Sequence, residues 1–540
     1  MTGNIGLLVF SRDRSAILPF IAAGKSSTAE HYYEKVIPLL PAPEHLFFCC
    51  TDGAANMVKF GELIQVRNNI LNVLCVAHGF SLLCHYFGTA IECERTLFDK
   101  LAGIVAFFNR SPQRMQHLRD KQAGKALNFV KISRTRFAYQ IFVALRVIRL
   151  RPAARLALTG ISVSKEEEGI QLEPCSKHAV VAASLYDDDL FATAEMFVRI
   201  AYPVMLVMKE FDSGLPMAGF VYWAFLCIEA QAQKLLDKIC ENDSSYAQLR
   251  DEVLGSIALL WDKRHSPVYS FAYLTNPLFH TQLRKDGSPW SIADHFLDDV
   301  TLVLTTMAKK RFGETKTEAE LSDHIVAVLA QMNKYFERPL TALQVSAAKL
   351  QLASCWWSGV FSLHFSELAY YAARVHATQV VSCKLERFFS IVGNMTGKLR
   401  NSLSDERASR FAVAHEHMVS SSREGLDMDA AQASILRFVT HMQTLLDSEE
   451  VPDIDELGMS SVETWFENLA NTREETSAES ASEPFEAPNS IQAEVDEAKR
   501  ERAEKIATIM ACRDLDDEAK QQAIEKLSSI KRKRTPKIIN

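Results

Sequence analysis

Leu46-Phe47-Phe48-Cys49-Cys50-Thr51-Asp52-Gly53-Ala54-Ala55-Asn56-Met57 sets a short apolar run directly against a stretch of small and polar residues. The run from Leu46 to Cys50 has the length of a strand, and Thr-Asp-Gly ends it ahead of a helix that reaches about Asn68. Asp52 therefore stands at the C-terminal end of a strand, where open α/β sheets expose reactive groups in a crevice. That place suits a metal-binding carboxylate. It also suits a helix cap, because Asp ahead of a helix accepts hydrogen bonds from otherwise unpaired backbone N–H groups.

Working outward, Ile5 to Phe10 and Ile17 to Ala22 are two more apolar runs, joined by the polar connection Ser11 to Ser15. Ser26-Ser27-Thr28 can cap a helix through Tyr32 to Leu39, and Leu71 to Cys75 is a further short strand. The predicted order is β-β-α-β-α-β. From about Phe98 to Leu446 apolar residues recur at three- and four-residue spacing, which predicts long helices. Gly and Pro should interrupt them near Gly160 to Pro174, Gly214-Leu215-Pro216, Asn276-Pro277 and Gly287-Ser288-Pro289.

The 540 residues exceed what one core usually holds, and an apolar content of 48% with 24% charged residues is that of a globular chain. No apolar run approaches a membrane span; the longest, Phe220 to Ile228, is closed by Glu229. Met1 to Phe10 lacks the build of a secretory signal, so the eleven cysteines are expected as free thiols. The net charge of -7 hides an asymmetry. Asp447 to Glu497 holds sixteen Asp and Glu against one Arg, so the rest of the chain is mildly basic. The acidic stretch, with its prolines, is too poor in apolar residues to offset ordering entropy, and disorder is expected there. Ile491 to Ile530 regains helical spacing, and Lys531-Arg532-Lys533-Arg534 closes a basic tail that fits either a nuclear-import signal or plain solvated charge.

Several blocks then align with one family. Thr51-Asp52-Gly53-Ala54-Ala55-Asn56-Met57, followed by Cys75-Val76-Ala77-His78 with Leu82 and Leu83, resembles the second-aspartate and Cys-x-x-His blocks of hAT-superfamily DNA transposases. Leu385-Glu386-Arg387-Phe388-Phe389-Ser390-Ile391-Val392-Gly393, with Lys398 to Leu403 beyond it, resembles that family's C-terminal dimerisation signature. Trp356-Trp357 and Leu368-Ala369 fit the pair of tryptophans ahead of it. Ser133-Arg134-Thr135-Arg136-Phe137 resembles the block that sets an Arg and an aromatic ring against transposon-end DNA, with Phe137 in place of the commoner Trp.

The resemblance implies an RNase H-like α/β fold entered at its second strand and split by a large all-α insertion. The implied layout is an α/β region at 1–150, a helical insertion at 151–354, a dimerisation region at 355–446, an acidic linker at 447–490, and a helical segment with a basic tail at 491–540. It implies Asp52 and Glu386 as catalytic, metal-holding carboxylates for Mg2+ or Mn2+, and Arg136 with Phe137 at nucleic acid. It implies a homodimer or higher oligomer formed through Trp356, Trp357, Leu385, Arg387, Phe388, Phe389 and Gly393, although the same apolar residues can pack inside one subunit. The family's first Asp lies one hairpin earlier, and its zinc finger lies earlier still. Neither has a counterpart here, so the expectation is an N-terminally truncated, DNA-contacting dimer with negligible turnover. The competing expectations are an active transposase whose upstream segment is missing and a helical scaffold of other ancestry.

Cys75 and His78 are expected as a structural pair. A zinc site that adds Cys84 and His85 is disfavoured, because those two are adjacent whereas zinc ligands pair two to four residues apart. A nuclear or otherwise cytoplasmic location is expected, without a membrane partner.

Overall fold

A parallel pair of short strands bridged by a helix lies at the head of a large helical body. The computed structural model describes residues 4–10, 15–22, 28–40, 46–91, 96–124, 126–129, 139–167, 176–283, 294–382 and 428–448. Strands β1 (Asn4–Phe10) and β2 (Ser15–Ala22) form an antiparallel hairpin. Helix α1 (Ala29–Val36) starts at Thr28, whose hydroxyl accepts the His31 N–H, and tightens into a 3-10 turn over Ile37–Leu39. Strand β3 (Phe48–Thr51), helix α2 (Ala55–Asn68) and strand β4 (Leu71–Leu74) follow, with Phe48 paired to Leu71 and Thr51 to Leu74. The β-β-α-β-α-β order holds, with strand ends shifted by one or two residues.

The sharp turn from α2 into β4 depends on Asn69, which sits in the left-handed region at φ 51. Asn is among the few non-glycine residues that tolerate this conformation. The bond that would form at a Cβ on Gly61 points straight into the Asn72 side chain, so α2 lies tight against β4 at that point.

The helical part begins earlier than the periodicity suggests, at α3 (Val76–Ile91), whose Phe80, Leu83 and Phe87 are fully buried. It continues through α4 (Thr96–Asn109), α5 (Pro112–Asp120), α6 (Tyr139–Glu167), α7 (Lys177–Tyr186), α8 (Asp188–Phe211), α9 (Ala218–Asn242), α10 (Ala247–Arg264), α11 (Pro267–Leu274) and α12 (His280–Leu283). Then come α13 (Asp294–Phe312), α14 (Glu318–Glu337), α15 (Ala342–Leu350), α16 (Ala353–Ser358), α17 (Ser366–His376) and α18 (Met428–Asp447). The interruption expected over Gly160 to Pro174 is met by the end of α6 at Glu167, with α7 starting at Lys177; Gly160 itself lies inside α6, where one glycine costs only about 1 kcal/mol against alanine. Gly214 and Asn276-Pro277 do separate helices. Gly287-Ser288-Pro289 lies outside the described residues.

Among the described helices, α8 alone is long and apolar enough to cross a membrane. It is a core helix, mostly buried, with α3, α6, α9 and α18 packed around it.

Near the other end of the body, Tyr335 of α14 lies in a cage of Trp356, Trp357, Phe361 and Phe365. Its hydroxyl is buried and has no hydrogen-bond partner among the described residues. A buried unpaired hydroxyl costs about 1–3 kcal/mol. Tyr335→Phe, which removes the oxygen and keeps the ring, should leave stability unchanged or raise it by about 1 kcal/mol in urea unfolding. A loss beyond 1 kcal/mol would mean that the hydroxyl has a partner.

Candidate functional site

Asp52 lies one residue past β3, and its carboxylate is exposed to solvent. Its Oδ1 accepts the Ala54 N–H at 3.1 Å, closing a turn ahead of α2. The helix starts at Ala55 with Ala54 as its N-cap residue, so Asp52 shapes the approach to the helix and does not cap it. One carboxylate oxygen remains outside this turn.

The neighbouring strand ends beside it. The Cys75 N–H donates to the Thr51 carbonyl at 2.7 Å, which carries the β3–β4 pairing one step further. The Cys75 sulfur is fully buried and accepts the Ser382 N–H at 3.3 Å, while the Val76 N–H donates to the Val380 carbonyl at 2.9 Å. The chain leaving α17 therefore returns to the end of the strand pair after the whole helical body. A hydrogen bond with the Cys50 side chain is the largest influence on Cys75; helped by Ser382 and against the opposing effect of burial, it draws the thiol down to about 6.

His78, on the first turn of α3, is held neutral. Burial pushes its pKa down to about 4, the positive charge of Arg264 adds to the drop, and the negative charge of Asp52 opposes it. Asp52, His78 and Arg264 thus lie within electrostatic reach of one another. Arg264 is the last residue of α10 and is 7% exposed. Its guanidinium lies against Gly53, in the space that a Cβ there would need. Glycine at 53 is what lets this cation approach the Asp52 turn.

The helical body also covers the edge of β4. The Tyr269 hydroxyl donates to the Leu74 carbonyl at 2.9 Å, and the Ser266 hydroxyl donates to the Asn72 carbonyl at 3.4 Å. Side chains from the corner between α10 and α11 thereby occupy carbonyls that an exposed strand edge would offer to another chain.

The sequence-predicted residues fall into three groups. Asp52, Cys75 and His78 come together at the strand ends. Trp356 and Trp357, expected on a dimer face, are 3% and 0% exposed, and the Trp357 indole N–H donates to the Thr275 carbonyl at 2.8 Å. Their rings are committed to the chain's own core, because flat apolar surfaces this large gain most where water is excluded on all sides. Glu386, Leu385, Arg387, Phe388, Phe389, Gly393, Arg136 and Phe137 lie outside the described residues. Arg264, Tyr269 and Ser382 were not foreseen, since nothing in a helical repeat marks the one arginine that turns toward a strand 200 residues earlier.

As a metal centre the described donors are sparse. Among the described residues no three of His, Cys, Asp and Glu converge on one point. Cys84 is buried in the core, with its thiol pushed far up by burial, and nine residues of helix put it roughly 13 Å along the axis from Cys75. His85 contacts Gln140 instead. Asp52 alone supplies a carboxylate oxygen toward Mg2+ or Mn2+, and a guanidinium stands beside it. These residues by themselves do not fit a pair of divalent ions, which need several converging carboxylates. What the cluster does offer is a neutral imidazole able to accept a proton and a desolvated guanidinium able to hold an oxyanion.

In comparisons with known proteins, no family model matches the chain and no curated protein matches it at a significant level.

Proposed function

We propose that this chain is a transposase-derived protein of the hAT type, with an RNase H-like α/β part, that assembles as a dimer through its C-terminal region and contacts DNA without efficient cleavage. The observation that carries the reading is the return of the chain. Val380 and Ser382 bond to Val76 and Cys75 at the end of the β3–β4 pair, after an all-helical body that begins at α3. Glu386 follows Ser382 by four positions in the sequence. A scaffold interrupted by helices and resumed beside its own strand end is what the resemblance to that family requires.

Weak chemistry follows from electrostatics. The Arg264 cation beside the Asp52 turn opposes the approach of a divalent ion, and phosphoryl-transfer sites of the two-metal kind depend on such ions being held tightly. In this reading Mg2+ or Mn2+ binds loosely at Asp52 and Glu386, zinc has no part, and no membrane is involved. Arg136 and Phe137 serve as DNA contacts. Leu385, Phe388 and Phe389 contribute to the dimer, and Lys531 to Arg534 direct the protein to the nucleus.

The test uses the purified full chain with Mg2+ or Mn2+ and a hairpin or transposon-end duplex, beside Asp52→Ala. Wild type and variant should cut equally little, and light scattering should give a dimer mass. Metal-dependent cutting that Asp52→Ala abolishes would overturn the inactive reading in favour of an active hAT-type transposase. A monomer at micromolar concentration would remove the dimer.

A further inference from the structure

Away from Asp52, three helix ends meet on one side of the molecule and bring a set of cations together. The α2 end carries Arg67, the α13 end carries Lys309, Lys310 and Arg311, and the α17 end carries Arg374. Their closeness is shown by contacts. The Lys310 ammonium donates to the Asn68 carbonyl at 2.8 Å, which ties the α13 end to the α2 end. Arg67 lies over the Tyr33 ring at 4.8 Å, and the Tyr33 hydroxyl donates to the Asn68 side chain.

Arg311 and Arg374 stand over the same ring, Tyr370, at 3.9 and 3.5 Å from its centre. Two guanidiniums that close to one ring centre cannot share a face without colliding, so they bracket the ring. Phe47, just before β3, completes the seam with an edge against Tyr370.

The charge balance of this seam is uneven. Arg311 has a carboxylate partner, Glu367, which also lies 3.7 Å from His324. Arg374 donates to the Tyr370 carbonyl of its own helix at 2.9 Å, and the groups that act on its charge are Tyr370, Tyr371 and Arg311, with no carboxylate among them. Burial and the neighbouring Arg311 both work against its charged form. Lys309 and Arg67 are exposed. Cations gather at helix C-termini for the helix dipole alone, a weak attraction at a surface. That accounts for single residues at helix ends. It does not account for a half-buried arginine set across one ring from a second arginine, with no acid acting on it among the described residues.

We propose that the seam formed by Arg67, Lys309, Lys310, Arg311 and Arg374 is a phosphate-backbone contact surface for duplex DNA. The inference rests on the reading that the chain contacts DNA, and it places that contact on the α2, α13 and α17 ends, apart from Arg136 and Phe137. A guanidinium stacked on an aromatic ring keeps its N–H edge directed outward, which suits the paired oxygens of a phosphate. Contacts of this kind set position and affinity and carry no base preference.

The experiment measures anisotropy of a fluorescein-labelled 20-base-pair duplex of mixed sequence with the full chain, from 50 to 200 mM salt. Arg67→Gln with Lys309→Gln changes two exposed side chains and should leave the fold intact. Lys121→Gln with Lys238→Gln, two exposed lysines elsewhere, is the control. The seam pair should weaken binding at least fivefold at 50 mM salt and lower the slope of log affinity against log salt by about 2, while the control pair stays within twofold of wild type. Arg374→Gln should add a further loss, with circular dichroism showing that helix content is kept.

Wild-type binding that the seam pair leaves unchanged in strength and slope would overturn this surface and spare the broader DNA reading. A wild type that binds no duplex at 50 mM salt would overturn both. Displacement of the duplex by a poly-glutamate peptide as readily as by unlabelled DNA would assign the seam to an acidic protein instead.

Discussion

Replacing Trp357 with alanine should cost about 3–5 kcal/mol of stability, the range for emptying a fully buried large aromatic site. The indole has no solvent exposure and stands 5.0 Å from the Tyr335 ring and 5.1 Å from that of Trp356. Its N–H is the donor to the Thr275 carbonyl on the turn after α11, so the variant also loses a buried hydrogen bond. Because the site joins α11, α14 and α16, collapse around the cavity would have to move three helices at once, and the loss should fall in the upper half of that range. Urea unfolding followed by far-ultraviolet circular dichroism measures it. Trp357→Phe should recover part of the loss, since the ring returns without the N–H. A cost under 1 kcal/mol would show that this tryptophan is not a core residue, and its place on a dimer face would need to be considered again.

Gly53→Ala should be a damaging single-methyl change beside Asp52. The added carbon falls on the Arg264 guanidinium, which is buried and cannot swing freely into water. Overpacking of this kind costs about 1–3 kcal/mol. The sign test is a double-mutant cycle with Arg264→Ala: once the guanidinium is gone the extra methyl should cost little, giving a coupling of about 1–3 kcal/mol. Additive effects would separate the two residues. A second readout follows the electrostatics. Arg264 lowers the pKa of His78, so Arg264→Ala should move that imidazole up from about 4 toward 6.5, which proton NMR can follow through the ring resonances. An unmoved titration would show that burial alone sets it.

Much of the small α/β part was legible because each element obeys a local rule. The runs at Ile5, Ile17, Phe48 and Leu71 are the right length for strands, and Asn69 is a residue that can turn a chain sharply out of a helix. The long helices were legible from spacing. Their boundaries were less so: α6 runs through Gly160 before it ends at Glu167, inside the expected interruption, and α3 starts at Val76, ahead of Phe98 where the helical spacing was expected to begin.

For the candidate site, Asp52 could be placed at a strand end from sequence, while Arg264 could not. Nothing local distinguishes Arg264 from the exposed Lys263 beside it; only the packing of the end of α10 against α3, with the guanidinium reaching Gly53, buries one and leaves the other in water. The seam at Tyr370 is hidden for the same reason, since Arg67, Arg311 and Arg374 are scattered across 300 positions and each looks like an ordinary helix-end cation.

The bond between Ser382 and Cys75 spans 307 positions. Closing an unstructured loop of that size costs about 5 kcal/mol in chain entropy, more than one amide-to-sulfur contact returns. During synthesis the opening strands leave the ribosome long before their last partner exists, so their open end must wait while the helices condense behind it. Refolding should accordingly be ordered in time, with the end of the β3–β4 pair sealed late, and that waiting interval is when aggregation or chaperone capture has its best opportunity.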